Sequence, residues 1–526
     1  MQRVGLATLA GMGVLLAGCS ISVPQPAENA TVTGAAAVVV TANATYTGLT
    51  VDVDGRDHSA SMVANGPQRH EGTFMVPVGS ARMTVSADVY CWYCTGRTTH
   101  SVVTRNFTVV ANLFTTVSAG GSHTCAIDTG QRLFCWGDNA LGQLGSGMVP
   151  DVACPTNTQP AARCQPNGVI VSGGQTWKQV SAGQAHTCGL TTGDAVMCWG
   201  SNQWGQLGNG GVVDSRVPVP VGINPTAMLP FRAVTAGANH SCALDAGNRL
   251  YCWGDDREFQ LGVAGLTACP TGSAGSCSTS PVRQGEYTGG ASYIFTEASG
   301  GERHTCASNG QWIKCWGRNV DGQLGQGTQG AASGGPSGNP SVPGTYLAGV
   351  SAGGSHSCAV RATTTGTTAD CWGDNRSGQL GGGWPASVYD TPQPVARPGG
   401  TSGDITGVTA GGQHSCALFV PVAPGSVRVP VCAGLNNQGQ LGQGPAAVNS
   451  QPHRTLVPVA LSAADLGADF FQVSAGASHT CALKLVTTQS STVTAGAVLC
   501  WGNNSHGQVG QNYQQIWDRP TNVRGP

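Results

Sequence analysis

Residues 117 to 125 read Val-Ser-Ala-Gly-Gly-Ser-His-Thr-Cys, and residues 135 to 145 read Cys-Trp-Gly-Asp-Asn-Ala-Leu-Gly-Gln-Leu-Gly. The first motif recurs six times, and each copy is followed by a version of the second. Its cysteine returns at 188, 242, 306, 358, 416 and 481, so the spacing runs from 52 positions (306 to 358) to 65 (416 to 481). Self-similarity at such a period predicts one supersecondary unit per repeat, seven units in all.

The two motifs resemble the repeat of the RCC1 family, which has the same glycine, histidine, Trp-Gly and Gly-Gln-Leu-Gly landmarks. The resemblance covers about residues 113–526. It implies an all-β fold, a seven-bladed β-propeller with four-stranded blades, whose closure hides most strand edges. The tail at 519–523 resembles the Pro-x-x-Val segment that precedes other repeats, and we expect it to complete the first blade and lock the ring.

The 21 cysteines indicate an oxidising compartment. Apart from Cys19 they form ten sequence-local pairs, which we expect to be disulfides. In the first three repeats a glycine lies midway between the two cysteines, so a turn there makes them opposed neighbours on antiparallel strands. Zinc is the rival interpretation, but each repeat offers only two cysteines and one histidine. The expected pairs are Cys91 with Cys94, Cys125 with Cys135, Cys154 with Cys164, Cys188 with Cys198, Cys242 with Cys252, Cys269 with Cys277, Cys306 with Cys315, Cys358 with Cys371, Cys416 with Cys432 and Cys481 with Cys500.

The first residues have the pattern of a targeting signal. A basic start precedes a short apolar run that ends in Leu-Ala-Gly-Cys at Cys19. This end resembles the lipobox of bacterial lipoproteins, although an ordinary signal peptide with an incidental cysteine is the alternative. The resemblance implies a signal peptide at 1–18, lipid on Cys19, and attachment to the membrane through that lipid alone, with Ser20 favouring the outer membrane.

The segment between the anchor and the repeats divides in two. Residues 19–36 are small, polar and Pro-containing, which is typical of a tether. Residues 37–112 contain short β-rich runs and predict a small immunoglobulin-like β-sandwich that acts as a spacer before the propeller at 113–526. Within it, Cys91-Trp-Tyr-Cys94 has redox spacing but strand-like surroundings, which favours a structural disulfide. Asp52-Val-Asp-Gly has carboxylates spaced as in calcium loops, yet a hairpin turn is the better prediction.

The composition narrows the class of partner. Only 10% of residues are charged and the net charge is −1, so no basic stripe is available for phosphates and nucleic acid is not expected as a partner. No cofactor, no metal site and no catalytic residue is predicted, and the chain is expected to be a monomer.

Two further residue types recur once per repeat. The tryptophans are expected to pack between blades, with a defect or a different neighbour at Ala433, which replaces the tryptophan in the sixth repeat. The histidines have two interpretations: a ring around the channel that binds metal or anions, or hydrogen bonds to the backbone of their own blades. The second is favoured. They are His123, His186, His240, His304, His356, His414 and His479.

Segments after the Gly-Gln-Leu-Gly motif are candidates for binding. Two carry the cysteine pairs 154/164 and 269/277, and three are long and Gly/Pro-rich, at 326–345, 382–404 and 445–467. They fall at one point of the repeat, so they are expected on one face of the ring, where loops on a rigid scaffold bind ligands. The third repeat departs from the pattern at 255–259, which indicates either a functional site or simple sequence drift. The candidate anchors are Trp177, Tyr287, Tyr293, Tyr346, Trp384 and Tyr389.

The fold alone does not settle the function. RCC1 relatives that act in nucleotide exchange need a nuclear GTPase, whereas a secreted bacterial β-lactamase inhibitor with this type of propeller binds its enzyme through one face. We therefore expect a cell-envelope lipoprotein whose propeller binds a protein or a polysaccharide and is not an enzyme. A propeller lyase or glycosidase, which needs paired carboxylates, is one alternative, and a purely structural envelope component is another.

Overall fold

The structure, a computed structural model, divides into two compact units, and the division between them falls between Asn112 and Leu113 in sequence. It describes the backbone of nine strands between Ile21 and Val110. It describes the second unit over residues 113–147, 163–222, 230–263, 265–270, 275–284, 294–337, 346–486, 495–511 and 516–523. The predicted sites at Cys19, Cys91, Cys94, Cys154, Tyr287 and Tyr293 lie outside these residues. Within the described part of the chain, no helix has the length and apolar character to cross a bilayer.

The first unit contains two β-sheets. The strands of one sheet, in spatial order, are Ile21–Gln25, Ala35–Ala42, Arg69–Met75 and Val63–Ala64. Those of the other are Ala30–Thr33, Thr98–Val110, Gly79–Tyr90, Thr45–Val53 and Arg56–Asp57. The last two strands pair Asp52 with Asp57 and Val53 with Arg56, the register of the hairpin predicted there. The immunoglobulin-like assignment stays a prediction.

The second unit is built from seven antiparallel four-stranded blades. The four strands of blade 1 are Phe114–Ala119, His123–Asp128, Leu133–Asp138 and Cys164–Ile170, and those of blade 2 are Trp177–Ala182, His186–Thr191, Val196–Gly200 and Ser215–Pro220. The strands of blade 3 are Phe231–Ala236, His240–Asp245, Leu250–Asp255 and Cys277–Arg283, and those of blade 4 are Glu297–Gly300, His304–Ser308, Ile313–Asn319 and Gly330–Ser337. The strands of blade 5 are Tyr346–Ala352, His356–Thr363, Gly366–Asp374 and Val388–Pro394, and those of blade 6 are Gly403–Ala410, His414–Pro421, Val429–Gly434 and His453–Pro458. The strands of blade 7 are Phe470–Ala475, His479–Leu485, Gly496–Asn503 and Ile516–Asn522. Of two short 3₁₀ helices, Pro398–Gly400 follows the fourth strand of blade 5 in sequence and Pro445–Ala447 precedes the fourth strand of blade 6.

The second strand of every blade is covered on both of its faces. In blades 1 to 3 all six residues of this strand are buried. A strand that packs between two neighbouring blades has no solvent side, so its sequence does not alternate between apolar and polar residues as a half-exposed strand does. This explains the run of small and apolar residues on either side of each first-motif cysteine.

Each blade carries one disulfide between its second and third strands. Cys125 and Cys135 are directly opposed, and their Cα atoms lie 4.1 Å apart, close to the spacing of a non-hydrogen-bonded antiparallel pair. The other six blades have the same Cα distance, which confirms the pairs that the spacing predicts. These pairs are Cys188 with Cys198, Cys242 with Cys252, Cys306 with Cys315, Cys358 with Cys371, Cys416 with Cys432 and Cys481 with Cys500.

Two further cysteine pairs were predicted in insertions after the Gly-Gln-Leu-Gly motif, and the second cysteine of each begins the fourth strand of its blade. Cys269 and Cys277 are bonded to each other, as predicted, and Cys277 begins the fourth strand of blade 3. Cys164, which begins the fourth strand of blade 1, is also disulfide-bonded, and its predicted partner Cys154 lies outside the described residues.

The glycine of each Trp-Gly pair is required by a close approach of two strands. Gly137 has a φ of 107°, and a Cβ atom there would lie 2.6 Å from the carbonyl oxygen of Ser122. Any side chain would therefore clash with the neighbouring strand and strain the backbone. The register between the third and fourth strands shifts at the same point, between Cys135 and Gly137.

The C-terminal strand does not complete the first blade, so the predicted closure is wrong. Ile516–Asn522 pairs with the third strand of its own blade 7, with Cys500 opposite Thr521. The fourth strand of blade 1 is supplied by Cys164–Ile170. A single bridge between Phe114 and Gly496 joins the sheets of blades 1 and 7, and side-chain hydrogen bonds described below complete the closure.

Three segments interpreted as long surface loops contain blade strands. The fourth strands of blades 4, 5 and 6 lie within 326–345, 382–404 and 445–467. The glycine and proline content of these segments is typical of loops, but an outer strand pairs on one edge only and therefore tolerates residues that a central strand excludes.

Candidate functional site

The wall of the central channel is a closed ring of backbone hydrogen bonds. The turn between the first and second strands of each blade contains Ala-Gly-x-x-His, with Gly300 in place of the alanine in blade 4. The N–H after the second residue of this motif donates to the glycine carbonyl of the next blade. Gly121 donates to Gly183 at 3.0 Å, and the ring closes where Ala477 of blade 7 donates to Gly120 of blade 1 at 3.1 Å. A Cβ at Gly120 would lie 2.5 Å from the oxygen of Gly183, so this approach needs glycine.

A second ring joins the first strands of neighbouring blades. The hydroxyl of the serine or threonine before each Ala-Gly accepts the N–H of the equivalent alanine or glycine in the next blade, at 2.9 to 3.1 Å. This ring also closes, from Ser474 to Ala119. The other acceptors are Ser118, Ser181, Thr235, Ser299, Ser351 and Thr409.

The seven histidines form a third ring, and their partners differ from those predicted. Each Nε2 lies 2.8 to 2.9 Å from the hydroxyl of the serine or threonine that precedes the cysteine in the next blade, not from its own backbone. His123 thus pairs with Thr187, and His479 of blade 7 pairs with Thr124 of blade 1. The remaining pairs are His186–Ser241, His240–Thr305, His304–Ser357, His356–Ser415 and His414–Thr480.

The next bond along this relay identifies the histidine tautomer. The hydroxyl of Thr187 donates its one proton to the carbonyl of Gln143, an oxygen that can only accept. The hydroxyl must therefore accept from His123, so Nε2 carries the proton and Nδ1 does not. The indole of Trp199 donates to the same Gln143 carbonyl at 2.9 Å, which places it between blades as predicted.

Burial keeps the ring histidines neutral. All seven are fully buried, and each Nδ1 has no hydrogen-bond partner. Burial lowers the pKa of His123, His240 and His414 to about 4, and it lowers the pKa of His186, His304, His356 and His479 to about 3. The repeated histidine is therefore a structural connector between blades.

Ala433 has different neighbours, as predicted for the blade that lacks the tryptophan. It is fully buried among Leu380, Val395 and Leu456. A Cβ on Gly381 would lie 3.3 Å from Ala433, whereas the corresponding glycine of blade 1, Gly145, lies under an indole ring. Aliphatic side chains thus fill the place of the missing indole.

The mouth of the channel lies on one face of the ring, which we call the motif face. Strands alternate in direction within a blade, so the Ala-Gly-x-x-His turns and the Gly-Gln-Leu-Gly loops lie at the same ends of the strands. The turns line a cavity of about 420 Å³ whose wall is mostly glycine and alanine. Its long polar side chains are Gln184, Asn239, Glu302 and Arg303, from blades 2 to 4.

Charge at two sets of repeat positions on the motif face is concentrated on blades 3 to 5. At the turn positions and the positions after Trp-Gly, the other four blades have one carboxylate, Asp138, and no lysine or arginine. We call the charged residues at these positions of blades 3 to 5 the charged arc. They are Asp255, Asp256, Arg257, Glu258, Glu302, Arg303, Arg318, Asp321, Asp374 and Arg376.

Buried carboxylates hold two of the guanidinium groups in place. Arg257 donates through Nε and a terminal nitrogen to the two oxygens of Asp255, and its guanidinium carbon lies 3.8 Å from the centre of the Trp204 ring. Arg376 lies 2.9 Å from Asp321 and 3.2 Å from Asp374. Its side chain is 58% exposed while both carboxylates are buried, so this cluster presents its guanidinium group to solvent.

Asp256 stands where six blades have asparagine. Like those asparagines, it accepts the N–H of the leucine in its Gly-Gln-Leu-Gly counterpart, Leu261. The asparagine amide of blade 5, Asn375, also donates to two loop carbonyls, which an ionised aspartate cannot do. Burial raises the pKa of Asp256 to about 7, and the neighbouring Asp255 contributes to this increase.

The predicted aromatic anchors have different fates. Trp177 and Tyr346 are 1% and 2% exposed, so they are core residues, and this part of the prediction is wrong. Trp177 packs edge-on against Trp199, with ring centres 5.5 Å apart, and the Tyr346 hydroxyl points at Asp370. Trp384 and Tyr389 are partly exposed and lie 6.3 Å apart on blade 5.

An alignment of the repeats could have identified Trp177 and Tyr346 as core residues. Trp177 and Tyr346 share their position with Phe114, Phe231 and Phe470, which are all buried. The sequence predicts the charged arc only in part, at 255–259, because its other members are dispersed over the next two repeats. Among the described residues, no group of three histidine, cysteine, aspartate or glutamate side chains is arranged to hold a metal ion.

Comparisons with known proteins agree with this architecture. Two sequence profiles, both described as Regulator of chromosome condensation (RCC1) repeat, match the chain. One matches residues 131–190, 194–244, 315–360, 371–418 and 432–483, and the other matches 114–143, 177–206 and 231–260. The structure resembles human WBSCR16, with a TM-score of 0.59 at 21% identity over 74% of this chain and 93% of that one. It also resembles yeast RCC1 (Prp20), with a TM-score of 0.56 at 16% identity over 78% and 85%.

Curated relatives match only part of their own length. The Ultraviolet-B receptor UVR8 of Arabidopsis thaliana is 29% identical over 40% of this chain and 42% of its own. The probable E3 ubiquitin-protein ligase HERC6 of Homo sapiens is 27% identical over 52% and 25%. The repeat matches, the seven blades and the likeness to RCC1 propellers together establish that the chain belongs to the RCC1 repeat family.

Proposed function

We propose that the propeller is a protein-binding module of the cell envelope, tethered by lipid on Cys19, and that it binds its partner through the charged arc. The observation that carries the proposal is the asymmetry of the motif face. The residues that join the blades repeat seven times, whereas charge at the arc positions is confined almost entirely to three adjacent blades. A ring that served only as a scaffold has no physical need for this difference between blades.

The chemistry of the arc fits a protein surface as partner. Arginine and aromatic side chains are enriched where protein interfaces gain most of their binding energy. Guanidinium groups already held by buried carboxylates lose little conformational freedom when they bind, so less of the interaction energy is spent on ordering them. Among similar proteins, one yeast RCC1 structure is described as bound to Kap60, and another is described with binding to Gsp1p and histones.

Cross-linking in intact cells tests the binding proposal. The full chain is compared with a double variant of the arc, Arg303→Ala with Arg376→Ala, and with a matched double variant of blade 6, Gln413→Ala with Asn437→Ala. We expect a specific protein adduct with the parent chain and the blade 6 variant, reduced about tenfold in the arc variant. Equal adducts from all three chains, or retention by envelope polysaccharide without any protein adduct, would overturn the proposal.

The anchor is tested separately. Metabolic labelling with a radioactive or clickable fatty acid is expected to label the parent chain but not Cys19→Ala, which should leave the membrane fraction. Labelling of the Cys19→Ala chain at the parental level would show that this cysteine does not carry the lipid.

A further inference from the structure

The junction of blades 3 and 4 contains two arginines that share one carboxylate loosely. Glu258 Oε1 lies 3.5 Å from a terminal nitrogen of Arg303 and 3.7 Å from one of Arg318. Charge-assisted hydrogen bonds between such groups are normally about 2.7 to 2.9 Å long. The second carboxylate near Arg303, that of Glu302, is no closer than 3.9 Å. Both guanidinium groups therefore have donors that these carboxylates do not use fully.

Two buried donors at the same junction have no partner. One is Nε of Arg318 and the other is the amide nitrogen Nε2 of Gln260, a residue with no exposed surface. In blades 2 and 5 the equivalent amides donate to Ser201 and Asp374, the residues after Trp-Gly. In blade 3 that residue is Asp255, whose two oxygens are taken by Arg257. An unpaired buried N–H is costly, so an acceptor that reached Nε of Arg318 would gain free energy, whereas Gln260 has no exposed surface for a partner to contact.

Phe259, between Glu258 and Gln260, is an exposed aromatic residue in a conformation that favours glycine. Its φ is 62° and its side chain is 44% exposed. The other six blades have glycine at this position, with positive φ. A bulky residue there is a genuine conformational outlier, and an exposed ring recovers little of the cost by burial. Val320 of blade 4, 51% exposed, adds a second apolar side chain to the motif face.

We propose that Arg303 and Arg318 form a cradle for a carboxylate side chain of the partner, and that Phe259 packs against an apolar residue next to that carboxylate. This inference rests on the proposed function and adds the chemistry that the partner must present. A guanidinium group matches a planar carboxylate through two parallel N–H donors, and the neighbouring aromatic ring favours a peptide over a free anion.

Glu258 makes the cradle distinguishable from a structural ion-pair cluster. Its carboxylate lies near both arginines without bonding either closely, so it competes with an incoming carboxylate. Neutralising Glu258 should therefore tighten binding of an acidic ligand, whereas a residue needed only for the local fold would weaken it. An increase in affinity for an acidic ligand when Glu258 is neutralised is therefore specific to the cradle.

The test uses two blocked leucine-flanked pentapeptides that differ only at the central residue, glutamate or glutamine, with the full chain purified in detergent. Titration calorimetry is expected to give the glutamate peptide about tenfold higher affinity than the glutamine peptide. Arg318→Gln should abolish this preference, Glu258→Gln should increase the affinity for the glutamate peptide severalfold, and Gln413→Ala should change neither.

Three results would overturn the cradle. These are equal affinity for the two peptides, a preference that survives Arg318→Gln, and displacement of the glutamate peptide by inorganic phosphate at equimolar concentration, which would make the site a simple anion site. The proposed function has a separate readout, because arc-dependent cross-linking to a protein would persist if only the cradle were wrong. If cross-linking no longer depended on the arc residues while the glutamate peptide was still preferred, the proposal of a protein partner would be wrong and the cradle would stand.

Discussion

His479 in the last blade lies 2.8 Å from the hydroxyl of Thr124 in the first, and this pair closes the histidine ring across 355 positions of sequence. No strand is exchanged between the two blades. The same hydroxyl donates to the carbonyl of Gln508, so one threonine joins a histidine and a backbone carbonyl of blade 7 to blade 1. Closure of the propeller therefore depends on side-chain hydrogen bonds and on the two rings of hydrogen bonds that line the channel.

Replacing this threonine tests the closure. Thr124→Val keeps the shape of the side chain but leaves the N–H of His479 buried without an acceptor, so we expect a loss of about 1 to 3 kcal/mol in the free energy of unfolding. Urea titration followed by tryptophan fluorescence measures it. Thr192→Val, an exposed position of blade 2, is the control and should be nearly neutral. Equal stability of Thr124→Val and the parent chain would contradict the role of this bond.

The neutral ring predicts a characteristic loss of stability in acid. The ring histidines have pKa values of about 3 to 4 in the folded chain and near 6.5 when unfolded, so between these values only the unfolded chain takes up protons. Stability should therefore be complete above pH 6.5 and fall steadily as the pH drops toward 4. Unfolding at a series of pH values measures the slope, and constant stability across this window would show that the histidines are protonated in the fold.

Asp256 predicts the opposite trend over almost the same window. Its pKa is raised to about 7, so the folded chain keeps a proton that the unfolded chain has lost above about pH 4. Its contribution to stability thus falls as the pH rises from 4 to 7. Asp256→Asn, which restores the residue of the other blades, should stabilise the chain by roughly 2 to 4 kcal/mol at pH 8 and by little at pH 4.

The converse substitution in the next blade is the matched control. Asn319 accepts from Leu324 and donates its amide to Thr328. Asn319→Asp should therefore destabilise the chain at pH 8 and recover part of the loss at pH 4. If Asp256→Asn were equally stable with the parent at both pH values, the raised pKa of Asp256 would be wrong.

Phe259→Gly should separate stability from binding. Glycine relieves the positive φ, and the expected gain is about 1 kcal/mol in the free energy of unfolding. The same change removes the exposed ring, so binding of the leucine-flanked glutamate peptide should weaken several-fold. Thermal melts and calorimetry on the same preparations measure the two effects. A variant that is more stable and binds as well as the parent would remove Phe259 from the proposed interface.

Local features were predictable because they depend on neighbours in sequence. The disulfide between Cys125 and Cys135 joins cysteines ten positions apart in one hairpin. Pairing within one hairpin holds in all seven blades, even where the loop is longer, as between Cys416 and Cys432. The tryptophans between blades and the different neighbours of Ala433 were also predictable, because a position repeated seven times reveals its role and its exception.

Features that join distant residues were not predictable in this way. The tail at 516–522 matches the outer strands of all blades, so its sequence does not say which third strand it pairs with. Trp177 and Tyr346 were predicted as surface anchors because aromatic residues in Gly-rich segments suit binding loops, yet they begin the first strands of their blades and are buried. The partner of each histidine also lies in another blade, more than fifty positions away.

By itself, the sequence determined the number of blades, the disulfide of each blade and membership in a propeller family, because all three depend on a pattern of nearby residues that repeats along the chain. Only the tertiary structure decided how the ring closes, that the histidines join neighbouring blades, and that charges from three repeats meet on one face. The physical reason is that ring closure brings together atoms whose separation along the chain carries no periodic signal. His479 and Thr124 meet only because seven blades of similar angle complete a circle.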